Sequence, residues 1–241
     1  MIRVLFQIDP VRTALILTLQ PILGSFFLYL AYKVLKRRTT RVSLTLSAFY
    51  IINGVATMIN AILIPLKSNQ TILIHNILYY INAFLVLYGF IFILIFIHNL
   101  LKVKSIFSFK KYLWIILIYA ASSIIVLTII PNSIFIDEST NWIPVYSWLF
   151  LVVIYVYFTI IITIPIIIFS MRLYKKFEDK GLKGKLRRFI MGILGMLLVF
   201  YGVTLYNTWH VFLFRTIWSV LVVLITIPSS FLIFYGIGHN I

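Results

Sequence analysis

The chain has 241 residues, of which 63% are hydrophobic and 11% charged, and its formal net charge is +16. Such a composition cannot cover the surface of a water-soluble globule of this size, so the sequence predicts that a lipid bilayer is its solvent. The lack of cysteine excludes disulfides, thiolate catalysis and cysteine metal sites.

Seven apolar stretches are each long enough to cross a hydrocarbon core as a helix, which takes about 20 residues. Their predicted bounds are 13–35, 42–66, 72–101, 112–130, 145–171, 186–206 and 209–237. The runs are too long, and too uniformly apolar, for the strands of a membrane barrel. The first run lacks a small-residue cleavage site, so we expect it to remain in the mature protein. The predicted fold class is all-α: a polytopic membrane protein whose single domain, residues 1–241, is a seven-transmembrane-helix bundle.

The basic residues of this seven-span chain lie predominantly on one side. Seventeen of the 21 follow the first, third and fifth spans, whereas Arg3, Arg12 and Lys67 fall on the opposite side. Loops rich in lysine and arginine stay in the cytosol. We therefore predict a multi-pass protein of the cell membrane with its N-terminus outside and its C-terminus inside. The sequon at Asn69 then falls in an external loop.

The connection between the fifth and sixth spans is the most basic segment. It carries Arg172, Lys175, Lys176, Lys180, Lys183, Lys185, Arg187 and Arg188. Positive-inside topology alone accounts for such a run, and the alternative is contact with anionic lipid head groups or an acidic cytoplasmic partner. Because the charges lie between apolar spans, they predict no nucleic-acid surface.

Polar side chains inside the spans are energetically costly, which makes their positions informative. Three spans carry them at three- and four-residue spacing, which places each set on one helix face. These sets are Tyr50, Asn53, Thr57 and Asn60 on the second span; His75, Tyr79 and Asn82 on the third; and Thr208, Arg215, Ser219, Thr226 and Ser230 on the seventh. On the sixth span, Gly192, Gly195 and Gly202 form a smooth face suited to close approach of another helix.

Arg215 is the one charge well inside a predicted span, and no span contains a carboxylate to pair with it. In one interpretation it extends to external phosphates or hydrogen-bonds carbonyls and asparagine side chains. In the other it lines an outward-facing pocket and binds an anionic group of a ligand. The ligand-binding residues of that hypothesis are Arg215, Asn53, Thr57, Asn60, His75, Tyr79, Asn82 and Ser219. The same polar sets serve equally well as contacts between helices.

The spans lack the side chains that membrane catalysis requires. The seventh contains no lysine for a retinal Schiff base, none contains an acidic residue for a proton- or sodium-coupled pump, and no HExxH motif occurs. We therefore predict no enzyme activity, no catalytic residue and no cofactor. His75 and His210 lie near Asp137 and Glu138 at the outer side but lack the local spacing of zinc ligands, so we predict no metal site.

Tryptophans and prolines lie at informative positions along the spans. Trp142, Trp148 and Trp209 at outer span ends and Trp114 at an inner one are expected as interfacial anchors. The interrupting prolines are Pro21, Pro165 and Pro228 in the first, fifth and seventh spans. Each frees a backbone carbonyl, which bends a helix or lines a cavity.

The outward terminus, the three basic inner loops and the run LRRFIMGILGM at residues 186–196 together resemble the seven-helix sensor regions that precede many microbial histidine kinases. The resemblance covers the whole chain as a pattern of spans. It implies a receptor-like module that binds a small ligand from the outer side. Because the chain ends shortly after its seventh span, we expect signalling through a separate cytoplasmic partner.

Two alternatives to a sensor remain open. Pro21 and Pro165 each precede a basic inner end, which favours a small-solute carrier of the three-plus-one-plus-three kind built from parallel repeats. The glycine face of the sixth span favours a structural subunit of a membrane complex.

Overall fold

Seven long helices form because the segments are apolar: in a bilayer each segment must satisfy its own backbone hydrogen bonds, which a helix does. The computed structural model describes residues 10–37, 39–63, 66, 71–101, 109–131, 133–140 and 142–237. The helices are α1 Pro10–Arg37, α2 Arg41–Ile62, α3 Ile72–Leu101, α4 Phe109–Thr128, α5 Trp148–Lys176, α6 Lys180–Thr208 and α7 Phe212–Gly236. Among the predicted features, Arg3, Lys67 and Asn69 lie outside the described residues, as do Arg38, Lys102 and Lys104.

Within the described ranges, seven helices are long and apolar enough to cross a membrane, which confirms the all-helical class and the predicted number of spans. The third predicted span has the bounds of α3, and the other bounds differ by a few residues. The largest difference is at α6, which begins at Lys180 in the basic segment. There the Asp179 carboxylate accepts a hydrogen bond from the Leu182 N–H at 2.7 Å, so a polar cap rather than hydrophobicity sets the start of the helix.

Two predicted assignments at the ends of spans were wrong. Thr208 is the last residue of α6 and does not belong to the polar face of α7. Residues 145–147 are not helical. Val145–Tyr146 form β2, which pairs antiparallel with β1, Ile134–Phe135. Ser147 then caps α5, its hydroxyl accepting a hydrogen bond from the Phe150 N–H at 3.2 Å.

The basic connection between α5 and α6 is mostly helical, which corrects the predicted loop. Helix α5 continues to Lys176 and α6 begins at Lys180, so only residues 177–179 join them. The basic side chains therefore project from two adjacent helix ends. Lys176 Nζ donates a hydrogen bond to the Leu101 carbonyl at 2.6 Å, a favourable position for a cation at the C-terminus of α3.

Helix α3 contacts α2, α4 and α5, while α1 packs along α2 and α6 along α7. Contacts between α5 and α6 and between α1 and α7 close the ring. The fully buried Tyr50 joins α2 to α7, because its hydroxyl donates a hydrogen bond to the Ser230 carbonyl at 3.0 Å. The helices thus surround a shared interior.

The glycine face of α6 packs against α7, which confirms that it suits close approach. A Cβ at Gly192 would lie 2.5 Å from the Ser229 carbonyl oxygen, and one at Gly202 would overlap the Trp218 ring. At Gly195 a Cβ would overlap the Ser229 hydroxyl. Since the chain's own α7 covers this face, a structural subunit would have to contact its partner through another surface.

Candidate ligand-binding site

A cavity of about 290 Å³ lies at the end of the bundle opposite the basic helix ends. All seven helices and the connection between α4 and α5 contribute to its walls. Apolar side chains such as Leu23, Val86 and Val222 alternate there with neutral polar ones. Among the described residues, no Asp, Glu, Lys or Arg side chain lines the cavity. The volume is close to the lower limit for small-molecule sites, about 300 Å³.

Seven of the eight predicted site residues meet in this one cavity. They are Asn53, Thr57, Asn60, His75, Tyr79, Asn82 and Ser219. The helical spacing therefore places the predicted site residues of α2 and α3 on the wall of one cavity, and of the two predicted on α7 it does so for Ser219. Arg215 is the exception, because it is not among the described lining residues.

Arg215 instead supports the cavity wall through Tyr206, which lines the cavity. Its Nε donates a hydrogen bond to the Tyr206 carbonyl at 3.2 Å, and its guanidinium carbon lies 5.3 Å from the centroid of the Tyr206 ring. That carbonyl is among the last of α6, which lack partners within the helix, so a cation is favourable there. This is the carbonyl-bonding role that the sequence left open.

His210 takes part in the same cluster. Its Nδ1 hydrogen-bonds a terminal guanidinium nitrogen of Arg215. Partial burial and the positive charge of Arg215 lower the pKa of His210 below its ordinary value. His210 is therefore neutral near pH 7, and Nδ1 accepts the hydrogen bond.

A hydroxyl network crosses the part of the cavity farthest from the basic helix ends. The Tyr79 and Tyr146 hydroxyls hydrogen-bond each other, and Asn207 Nδ2 donates to the Tyr79 hydroxyl at 3.4 Å. Burial raises the pKa of Tyr146 to about 12, although its hydrogen bonds with Tyr79 and Asn207 oppose the shift. The phenol is therefore uncharged at physiological pH, and the network links α3, β2 and α6.

Two polar residues of α2 that line the cavity are held by backbone carbonyls of their own helix. Asn53 Nδ2 donates to the Phe49 carbonyl at 2.8 Å, and the Thr57 hydroxyl donates to the Asn53 carbonyl at 2.6 Å. Asn53 also packs against α3, where a Cβ on Gly89 would lie 2.9 Å from Nδ2. Both side chains are thus fixed in the cavity wall.

Asn82 and Trp218, which line the cavity, each carry a buried polar atom with no hydrogen-bond partner in the described part of the chain. One is Asn82 Oδ1, an acceptor on α3, and the other is Trp218 Nε1, a donor on α7. A buried polar atom left without a partner costs about 1–3 kcal/mol. The cavity therefore presents both an unused acceptor and an unused donor.

The connection between α4 and α5 covers part of the cavity with Trp142, Pro144 and Tyr146. Trp142 is only 7% exposed, and its ring meets the His75 ring edge-on at 5.5 Å between centroids. It is thus a wall of the cavity and not the interfacial anchor predicted for it. Trp114, Trp148 and Trp209, by contrast, are exposed as anchors would be.

The backbone holds Trp142 in this inward position. Its φ is 56°, the one positive value among the described non-glycine residues, and such a conformation costs of order 1–3 kcal/mol. A turn at Asp137 precedes it: the carboxylate accepts hydrogen bonds from the Ser139 hydroxyl and the Thr140 N–H, which hold the pKa of Asp137 low. The Asp-Glu-Ser-Thr run was a readable turn signal, but nothing local indicates that the following tryptophan points inward.

Three phenylalanines lie at the base of the cavity. Phe90 and Phe200 line it, Phe158 stacks on Phe200 at 3.8 Å between centroids, and Phe90 meets Phe158 edge-on at 5.0 Å. Phe158 is fully buried. An occupant of the cavity would therefore contact a ring on α6 that packs directly on α5.

Immediately after Phe158, residues Thr159–Thr163 of α5 form a π-helical turn. Pro165 follows, and a widened turn accommodates a ring that would clash with the carbonyl four residues earlier. The Thr159 and Thr163 hydroxyls both hydrogen-bond the Tyr201 hydroxyl, at 2.6 and 2.8 Å. Pro165 therefore marks a local change of helix type beside the cavity floor.

The predicted lipid- or partner-contacting residues lie at the other end of the bundle. Arg172, Lys175, Lys176, Arg187 and Arg188 are exposed, and Lys183 and Lys185 are half-buried. No group of three or more His, Cys, Asp or Glu residues is arranged to hold a metal ion within the described ranges. Comparison of the chain with protein-family models, curated proteins and solved structures found no match.

Proposed function

We propose that the chain is a receptor-like module of the cell membrane, with the cavity facing outward and the basic helix ends in the cytosol. It binds a small, uncharged ligand in the cavity and signals through a cytoplasmic partner, as its resemblance to kinase sensor regions suggests. The observation that carries the proposal is the cavity with its unpartnered Asn82 oxygen and Trp218 N–H.

The walls favour an uncharged ligand over the anion considered for Arg215. An ion without a counter-charge in a low-dielectric site loses several kcal/mol of solvation. The described walls carry no charged side chain, and Arg215 is engaged by Tyr206 and His210. A ligand with a hydrogen-bond donor, an acceptor and an apolar body matches the walls.

The route of the signal that we propose follows the packing at the cavity floor. Ligand contact with Phe200 on α6 displaces Phe158 on α5, and the adjacent π-helical turn absorbs the displacement. Both helices continue to the basic end, where only residues 177–179 join them. A shift of α5 against α6 would thus alter the surface that a cytoplasmic partner reads.

Asn82→Leu tests the binding site, with Asn76→Leu as its matched control. Both asparagines lie on α3 with a buried oxygen that has no described partner, but only Asn82 lines the cavity. Native mass spectrometry of protein extracted gently from membranes is expected to show a bound, uncharged, non-lipid molecule in wild type and in Asn76→Leu, and to lose it in Asn82→Leu. The proposal would be wrong if the wild-type spectrum showed no such molecule, or if both variants lost the molecule equally.

The orientation can be tested by cysteine labelling, since the natural chain contains no cysteine. Glu138→Cys, in the connection over the cavity, is expected to react with a membrane-impermeant maleimide on intact cells. Lys110→Cys, exposed at the basic end of α4, should react only after permeabilisation. The reverse pattern would overturn the orientation while leaving the cavity itself untouched.

A further inference from the structure

A second hollow, of about 240 Å³, lies between α5 and α6 near the basic end and shares no lining residue with the cavity. Its apolar walls are Ile166, Ile167 and Met171 on α5 and Ile190, Ile193 and Leu194 on α6. Ile167, Met171 and Leu194 are also exposed on the outer surface of the bundle. The groove therefore faces the hydrocarbon of the bilayer.

Two polar residues interrupt this apolar groove. Ser170 is only 3% exposed, and its hydroxyl has no hydrogen-bond partner among the described residues. A serine in a membrane helix ordinarily donates to the carbonyl one turn earlier. Lys175 also lines the groove and is exposed. Lys175 comes five positions after Ser170, a rise of about 7.5 Å along the helix at 1.5 Å per residue.

The mouth of the groove is positively charged. Lys183 Nζ lies 5.9 Å from the centroid of the Tyr174 ring, and Tyr174 lines the groove. Arg187 is exposed and precedes Ile190 by three residues, which places it on the groove face of α6. The nearby Asp179 carboxylate is committed to capping α6 through the Leu182 N–H. Glu178, exposed in the same connection, is the other acidic group here.

We propose that this groove binds one anionic glycerophospholipid. An acyl chain lies between α5 and α6, an ester carbonyl accepts the Ser170 hydrogen bond, and the phosphate pairs with Lys175, Lys183 and Arg187. The spacing from Ser170 to Lys175 is comparable to that from ester to phosphate across the glycerol of such a lipid. Each basic residue near the head group strengthens binding of an anionic lipid about fivefold, which selects it over a zwitterionic one.

The test is native mass spectrometry of the purified full chain in detergent, titrated with phosphatidylglycerol or phosphatidylcholine of the same acyl chains. Wild type is expected to bind phosphatidylglycerol more tightly. Lys175→Gln should weaken that binding about fivefold and weaken phosphatidylcholine less, because the choline cation offsets the phosphate charge, whereas Ser170→Ala should weaken both lipids. Lys110→Gln is the control, because Lys110 is an exposed lysine at the same end on α4; it should leave both affinities unchanged.

Three results would overturn the proposal. Equal affinity for the two lipids would show that the groove does not select a lipid by the net negative charge of its head group. Equal losses of phosphatidylglycerol affinity in Lys175→Gln and Lys110→Gln would show that general surface charge, and not the groove, determines the binding. Tight phosphatidylglycerol binding that neither Lys175→Gln nor Ser170→Ala alters places the lipid elsewhere. Thermal unfolding of each variant in detergent verifies that the comparison is between folded proteins.

Discussion

The two sides of α6 differ in how closely they meet their neighbours. Toward α7, glycines bring the backbones so near that a Cβ at Gly192 would lie 2.5 Å from a carbonyl oxygen. Toward α5, the helices leave a groove at the basic end, and the π-helical turn of α5 lies beside Tyr201. Interhelical packing in a membrane depends on van der Waals contact, so α6 and α7 form a tight pair while the α5 side retains room to move.

This difference bears on both proposals. The floor of the cavity and the groove proposed to bind a lipid both lie on the α5 side of α6, whereas the α7 side contributes close packing and the Trp218 wall. A signalling shift is therefore expected between α5 and α6.

The largest expected loss of stability comes from adding a side chain at the close contact between α6 and α7. Gly192→Ala should lower the free energy of unfolding by about 1–3 kcal/mol, because the methyl group meets the α7 backbone. Gly184→Ala is the matched control, since a Cβ there meets nothing within 4 Å. It should be neutral or stabilise α6 by up to about 1 kcal/mol. Equal melting temperatures for the two variants in detergent would contradict the close packing.

Gly202→Ala tests the same close packing beside the cavity. It should lower the free energy of unfolding by less than Gly192→Ala, because a side chain rather than the backbone must move. The added methyl overlaps the Trp218 ring, so we expect the indole to leave the cavity wall and tryptophan emission to shift to longer wavelength. The shift should vanish when Gly202→Ala is made in a Trp218→Phe background. A shift that persists there would come from another tryptophan and refute the assignment.

On the α5 side of α6, Tyr201→Phe should lower the free energy of unfolding by about 1 kcal/mol, because it removes the hydroxyl that hydrogen-bonds both Thr159 and Thr163. Tyr29→Phe is the control, because Tyr29 is 53% exposed on α1, and its change in melting temperature should be close to zero. We expect faster hydrogen exchange in residues 159–163 of Tyr201→Phe only. Unchanged exchange there would mean that the hydroxyl does not hold the π-helical turn.

The smallest effect is a pH dependence of stability at the connection between α6 and α7. Because the pKa of His210 is lowered in the folded state, folding favours the neutral imidazole, and its contribution is complete above the ordinary value of about 6.5. Stability should decline as the pH falls from 6.5 toward 5. The decline should be small, because the His210 ring is largely exposed and solvent screens its interaction with Arg215. His210→Gln should flatten that part of the melting-temperature profile. An unchanged slope would exclude His210 as its source.

The sequence by itself determined the number of spans, the basic end, the glycine face and the inward sides of α2 and α3. These are local properties: span length follows from the thickness of the bilayer, and a face follows from 3.6 residues per turn. Asn53, Tyr79 and Asn82 could be assigned to one site for that reason. No knowledge of the neighbouring helices was needed.

For the remaining residues the sequence allowed several contacts, and only the tertiary structure decided which contact each residue makes. Arg215 turns to the Tyr206 carbonyl at the end of α6, Trp142 folds inward on a left-handed backbone, and Ser170 faces a groove that exists only between two helices. In each case the deciding contact comes from another helix or from a loop conformation that hydropathy does not encode. Helix periodicity specifies a face, whereas the partner on that face depends on how all seven helices pack.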